Sequence, residues 1–177
     1  MKKYITPILS LLLITIFVVG LLALTNQLTQ DAIKQRELTE SEKAMNLVLP
    51  DGAPFLDITQ EVMGLDLKIS SKLLNAYKSD KGYVFTMITK GYNGDIEVFV
   101  GINNNEEVQN IALGKNEETP NLGKNAELPE FTSQFSGITK RDVVSKKIDN
   151  ISNATVTTQA VISAVESALA LHAEVVK

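Results

Sequence analysis

The sequence predicts an α+β domain held behind one apolar N-terminal helix. Three observations carry this: a charge-free run at the N-terminus, three consecutive β-rich runs in the middle, and a helical run at the end.

The N-terminal run comes first. No charged residue occurs from Tyr4 to Gln30, and Ile5 to Leu24 is dominated by Leu, Ile and Val. That length matches the ~20 residues a helix needs to cross a bilayer. A cleaved signal peptide has a shorter apolar core, ~7–15 residues, before a small-x-small site. The ending Ala23-Leu24-Thr25 fits such a site poorly, which favours a retained anchor. Lys2 and Lys3 precede the span and Asp31 is the first charge after it. The positive-inside bias then puts the N-terminus in the cytoplasm and the rest of a single-pass cell-membrane protein outside it.

Asn26 to Leu49 has helical character, with Leu28, Ile33, Leu38, Met45, Leu47 and Val48 interspersed with polar residues, and Pro50-Asp51-Gly52 as the stop. The apolar spacing is irregular enough to allow two helices. The expected division is therefore 1–4 cytoplasmic, 5–25 spanning, 26–50 a helical stalk and 51–177 an extracytoplasmic domain.

Within that domain, Tyr83–Thr89, Ile96–Ile102 and Val108–Leu113 are β-rich. Turn residues, Gly91-Tyr92-Asn93-Gly94 and Asn103-Asn104-Asn105, separate them, which predicts an antiparallel meander. Thr157 to Val176 returns to helix, with Thr157 or Thr158 as its expected cap. Tyr83, Phe85 and Phe99 are expected in the core, and His172 is expected to be a surface or partly buried residue rather than a ligand.

Composition excludes several functions. The 177 residues carry a formal charge of -4 with no basic block, so nucleic acid is not an expected partner. The absence of cysteine removes disulfides, thiolate-held clusters and a cysteine nucleophile. A single histidine argues against an imidazole metal site. No metal site and no catalytic side chain is expected, so any redox chemistry belongs to a borrowed cofactor.

Two segments stand apart from the scaffold. Glu118-Thr119-Pro120-Asn121-Leu122-Gly123 follows the third strand and precedes a loop-like stretch, Lys124 to Phe131. Asp149-Asn150-Ile151-Ser152-Asn153-Ala154-Thr155 precedes the last helix. Unpaired N–H groups and the helix dipole favour an anion at such an entrance, and Thr155 stands where a phosphate would be anchored. The same residues also read simply as helix caps, with Ser152 and Thr155 in that role.

The two segments together resemble the FMN-binding domain family. The second is similar to its D-x-x-S-G-A-T flavinylation motif, the first to its E-T-P-G-L-G loop, and the likeness extends over almost the whole chain. Within the family it looks most like the G subunit of the Rnf ferredoxin:NAD oxidoreductase complex. The C subunit of the sodium-pumping NADH:quinone reductase and a free-standing flavinylated carrier are the alternatives. The resemblance implies one FMN-binding domain and a redox subunit of a larger translocase rather than a stand-alone catalyst. It also implies FMN esterified through its phosphate to Thr155, with Ser152, Asn153 and Ala154 lining the phosphate. Glu118, Thr119, Leu122 and Gly123 would lie near the flavin, and Asp149 would serve recognition by an ApbE-type flavin transferase. The other membrane and peripheral Rnf subunits are the implied partners. Asn153 and Asn121 stand where the family has glycine. Asparagine is the non-glycine residue that best tolerates positive φ, so both turns are expected to survive the change.

Overall fold

The computed structural model describes residues 2–65, 67, 69–142 and 144–177, without the side chains of residues 2–6, 31, 145 and 146. The charges Lys2, Lys3 and Asp31 used in the topology argument, and Lys146, therefore lie outside the described side chains.

The chain divides into two units, one ending at Glu40 and the other comprising Ser41–Lys177. The described residues of the first belong to α1 (Lys2–Val48), one continuous helix where the irregular spacing had allowed two. Its apolar run is bare. Phe17 is 71% exposed and Leu22 64%, a continuous apolar surface of the kind that soluble domains do not leave uncovered. The helix is long and apolar enough to cross a membrane.

The second unit is α+β. Its five-stranded antiparallel sheet runs in chain order: β1 (Leu56–Asp57), β2 (Lys72–Ser79), β3 (Gly82–Lys90), β4 (Asp95–Asn103) and β5 (Val108–Asn116). The last three are the predicted meander. The first two are additions: β1 has only two residues, and β2 pairs with β3 through a register irregularity between Leu73 and Asn75. Helix α2 (Thr59–Met63) lies between β1 and β2. The stretch expected to be a loop after Gly123 is instead wound into a 3-10 turn (Gly123–Glu127), α3 (Pro129–Thr132) and a second 3-10 turn (Ser133–Phe135). Pro129 at the first helical position and Leu128, extended before it, account for the break between the first two. Helix α4 (Val144–Lys147) and α5 (Thr155–Val175) complete the unit.

Both faces of the sheet are covered. Alternation on β3 and β4 sends Phe85, Met87, Ile96, Val98, Val100 and Ile102 to one face. There Val161, Val165, Ala168 and Leu169 of α5, at helical spacing, close the main core. Val84, Phe99 and Ala112 point the other way and meet Met45, Val48 and Leu49. At Gly101 a side chain would collide with the Val48 carbonyl, so the missing Cβ lets the end of α1 lie directly on β4.

Candidate functional site

The two segments singled out in the sequence are both four-residue turns of the same build. In the first, Leu122 N–H bonds to the Thr119 carbonyl at 3.2 Å, and Asn121 in third position has φ 60°. Pro120 before a positive-φ residue is the combination used by type II turns. In the second, Ala154 N–H bonds to the Ile151 carbonyl at 3.0 Å, with Asn153 in third position at φ 62°. Asparagine thus occupies a left-handed backbone at both positions, as expected from its tolerance of that region.

Helix α5 starts at Thr155, two residues before the predicted start, with Ala154 as its N-cap. Ala154 offers no side-chain cap, and neither Thr157 nor Thr158 plays that part. Both threonines lie inside the first turn and are buried. Thr158 Oγ1 donates to the Ala154 carbonyl at 3.1 Å and accepts Ile151 N–H at 3.1 Å, fixing the turn to the helix. Thr157 reaches across to the other segment: its Oγ1 donates to Glu118 Oε2 at 2.5 Å. The second oxygen of Glu118 accepts Asn93 N–H at 2.9 Å, and Asn93 Nδ2 donates to the Glu117 carbonyl at 2.7 Å. Glu118, only 2% exposed, therefore joins the β3–β4 turn, the Glu118–Gly123 segment and the start of α5.

The sequence-predicted residues fall into two groups. Thr155, Ser152 and Asn153 are exposed at the helix entrance, with Leu122 exposed on the neighbouring turn. Glu118, Gly123 and Ala154 are buried, and Thr119 is half-buried. Asp149 is exposed, and its N–H donates to Gln134 Oε1 at 2.7 Å beside a groove of about 240 Å³ lined by Leu128, Phe131 and Ile151 among others. Sequence reading missed Thr157 and Asn93. The only hints were a second hydroxyl two residues beyond Thr155 and the Gly91–Gly94 turn.

The donor set suits a phosphate monoester. The first-turn N–H groups of α5 have no intrahelical acceptor and face the end where the dipole is positive, and the Thr155 hydroxyl is exposed at the first helical position. The remaining sequence candidates are structural. Phe85 and Phe99 are buried on opposite faces of the sheet. His172, expected to be a surface or partly buried residue, is buried more fully than that: it is 3% exposed and packs edge-on to Tyr83 at 5.2 Å and to Phe85 at 6.4 Å. That burial lowers its pKa, partly opposed by Glu106. Among the described residues no cluster of three or more metal-ligating side chains occurs.

Residues 91–170, which hold the two turns, Glu118 and most of α5, match the model of a family described as the FMN-binding domain. Over nearly the whole chain the relatives are more particular. The protein is 31% identical over 169 residues to the G subunit of the ion-translocating oxidoreductase complex of Shewanella piezotolerans, covering 84% of this chain and 80% of that one. It is 30% identical over 176 residues to the G subunit of the complex of the same name from Methanosarcina acetivorans, covering 95% and 94%. The G subunit of the Na+-translocating ferredoxin:NAD+ oxidoreductase complex of Acetobacterium woodii is 29% identical over 172 residues, covering 85% and 83%. The chain belongs to this family of G subunits. Its fold also matches the C subunit of the Na+-translocating NADH-quinone reductase of Parabacteroides distasonis, with a TM-score of 0.55 over 82% of this chain and 96% of that one, at 12% identity.

Proposed function

We propose that the protein is the membrane-anchored electron-transfer subunit of an Rnf-type ion-translocating complex, carrying FMN through a phosphoester to Thr155. The observation that carries the reading is the exposed Thr155 hydroxyl at the first position of α5, beside two positive-φ turns of matching build. In this reading the first-turn N–H groups of α5 and the Ser152-Asn153-Ala154 turn hold the phosphate. Thr119, Leu122 and Gly123 shape the side on which the ring lies, and Glu118 backs them from the interior. The flavin, when bound, supplies the electron-carrying chemistry. The protein fixes where that chemistry happens. A covalent link suits a domain outside the cytoplasm, where a dissociated cofactor is lost. An ApbE-type transferase would install it, with Asp149 and the adjoining groove exposed to that enzyme, and the other Rnf subunits would exchange electrons with it.

The test is direct. Protein made with the transferase and FAD is expected to stay fluorescent after denaturing electrophoresis and to gain the mass of one FMN less water. Thr155→Val removes both signals at little cost in stability, because its exposed hydroxyl caps nothing. Thr155→Ser keeps them. Wild-type protein that stays dark under these conditions, or a label mapping to another residue, ends the proposal.

A further inference from the structure

Glu118 presents a puzzle for a residue in a cofactor loop, because both of its oxygens already accept hydrogen bonds from protein and the residue is buried. Oε2 is taken by Thr157 Oγ1 and Oε1 by Asn93 N–H, and the residue is 2% exposed. The walls around it are closed as well. A Cβ on Gly123 would lie 2.9 Å from both Glu118 Cβ and Thr157 Oγ1, and one on Gly91 would lie 2.5 Å from Glu118 Oε1. Real Cβ contacts do not come that close, so the space is already filled by protein atoms.

The start of α5 meanwhile lacks what usually fixes a helix entrance. Ser, Thr, Asp or Asn at the N-cap would accept an N–H from the first turn, and Ala154 cannot. Within the helix Thr158 ties the Ile151–Ala154 turn back, and a second tie comes from outside it. Thr157, in the third helical position, is tied to a carboxylate that also sits at the positive end of the helix dipole. Because the same carboxylate holds Asn93, one side chain sets three segments against each other.

We infer that Glu118 is a positioning residue for cofactor attachment: a buried latch that acts through Thr157 and Asn93 to hold the first turn of α5, and with it the Thr155 hydroxyl, in the orientation that accepts the phosphate. It does so without touching the flavin. The inference rests on Thr155 as the attachment point, as proposed above. It turns the two sequence segments into one device, the glutamate of the first closing on the second through a threonine two residues past the acceptor.

The test uses the full chain in detergent with transferase and FAD. Two quantities are compared in wild type, Thr157→Val, Thr157→Ser, Glu118→Gln and the Glu118→Gln/Thr157→Val pair. One is the single-turnover rate of FMN attachment at saturating transferase. The other is amide hydrogen exchange of residues 119–124 and 155–158 in protein that has never met the transferase. Thr157→Val is expected to slow attachment about tenfold, the scale of one buried charge-assisted hydrogen bond. It is also expected to speed exchange in both segments while global unfolding stays cooperative. Thr157→Ser restores both quantities, and the double variant is no slower than the slower single one. Attachment at the wild-type rate in Thr157→Val with unchanged exchange at 119–124 overturns the latch, and so does a serine variant as slow as the valine. If Thr157→Val does not fold, Glu118→Gln carries the same decision. Wild type that takes no FMN on Thr155 refutes the proposed function instead, and exchange in the untreated protein still decides whether Glu118 orders the helix entrance.

Discussion

At the scale of single residues, most of what matters is backbone conformation and burial. Asn121 and Asn153 hold left-handed turns where a β-branched residue would clash, an equivalence of asparagine with glycine in that backbone region. That equivalence was legible in the sequence because asparagine's tolerance of positive φ is intrinsic to the residue. The partners of Glu118 were not, since a bond spanning 39 residues leaves no local pattern. His172 shows the same limit: its aromatic surroundings come from β3, far off in the chain. As the protein's one histidine, it gives a clean pH test. Burial lowers its pKa below the usual 6.5, so the folded state prefers the neutral ring. Its stability contribution is then fully present above the unfolded pKa and is lost as pH falls from about 6.5 toward the folded pKa. The urea midpoint is expected to drop across that window, His172→Phe is expected to flatten this part of the profile, and proton NMR of the lone imidazole reports the depressed value directly. A ring titrating at or above 6.5 contradicts the burial argument.

At the scale of elements, legibility followed the strength of the local pattern. Strands β3, β4 and β5 were visible because aromatic and β-branched residues run between clear turn residues. Strand β2 was not, since Asn75 and Lys78 dilute it and its register irregularity interrupts the alternation, while two-residue β1 exists only through its pairing with β2. The short helical turns after Gly123 were likewise invisible, each being too brief to show a helical period. For the strands that were read correctly, facing is the testable consequence. Val98 is fully buried between Met87 and Leu113 on the face that α5 covers. Val98→Asp places a carboxylate there without a partner, at a cost of several kcal/mol against a total domain stability of ~5–15 kcal/mol. Loss of cooperative thermal unfolding, or a large drop in its midpoint, is expected by circular dichroism. A wild-type melting curve contradicts the assigned facing.

At the scale of the whole molecule, the two units have opposite relations to water. Ser41–Lys177 buries its apolar residues in two layers around one sheet, whereas the part of α1 before Ser41 displays them. Exposed leucines, isoleucines and valines along some five turns of helix are stable only in hydrocarbon or against another apolar surface. The charges decide which way such a helix threads: Lys2 and Lys3 lie before the apolar run and Asp31 is the first charge beyond it. Lysines are retained on the cytoplasmic side, so residues after Asp31 are expected outside. The stretch that follows offers a convenient reporter, because Lys34 and Arg36 are exposed on α1. Exposed helical segments open locally and admit protease. Trypsin added to intact spheroplasts is therefore expected to cut after Lys34 or Arg36 and to release the compact unit into the supernatant, still folded. In inside-out vesicles the same sites are expected to be protected. The reverse pattern, release from vesicles and protection in spheroplasts, would invert the topology and leave Thr155 and the start of α5 in the cytoplasm.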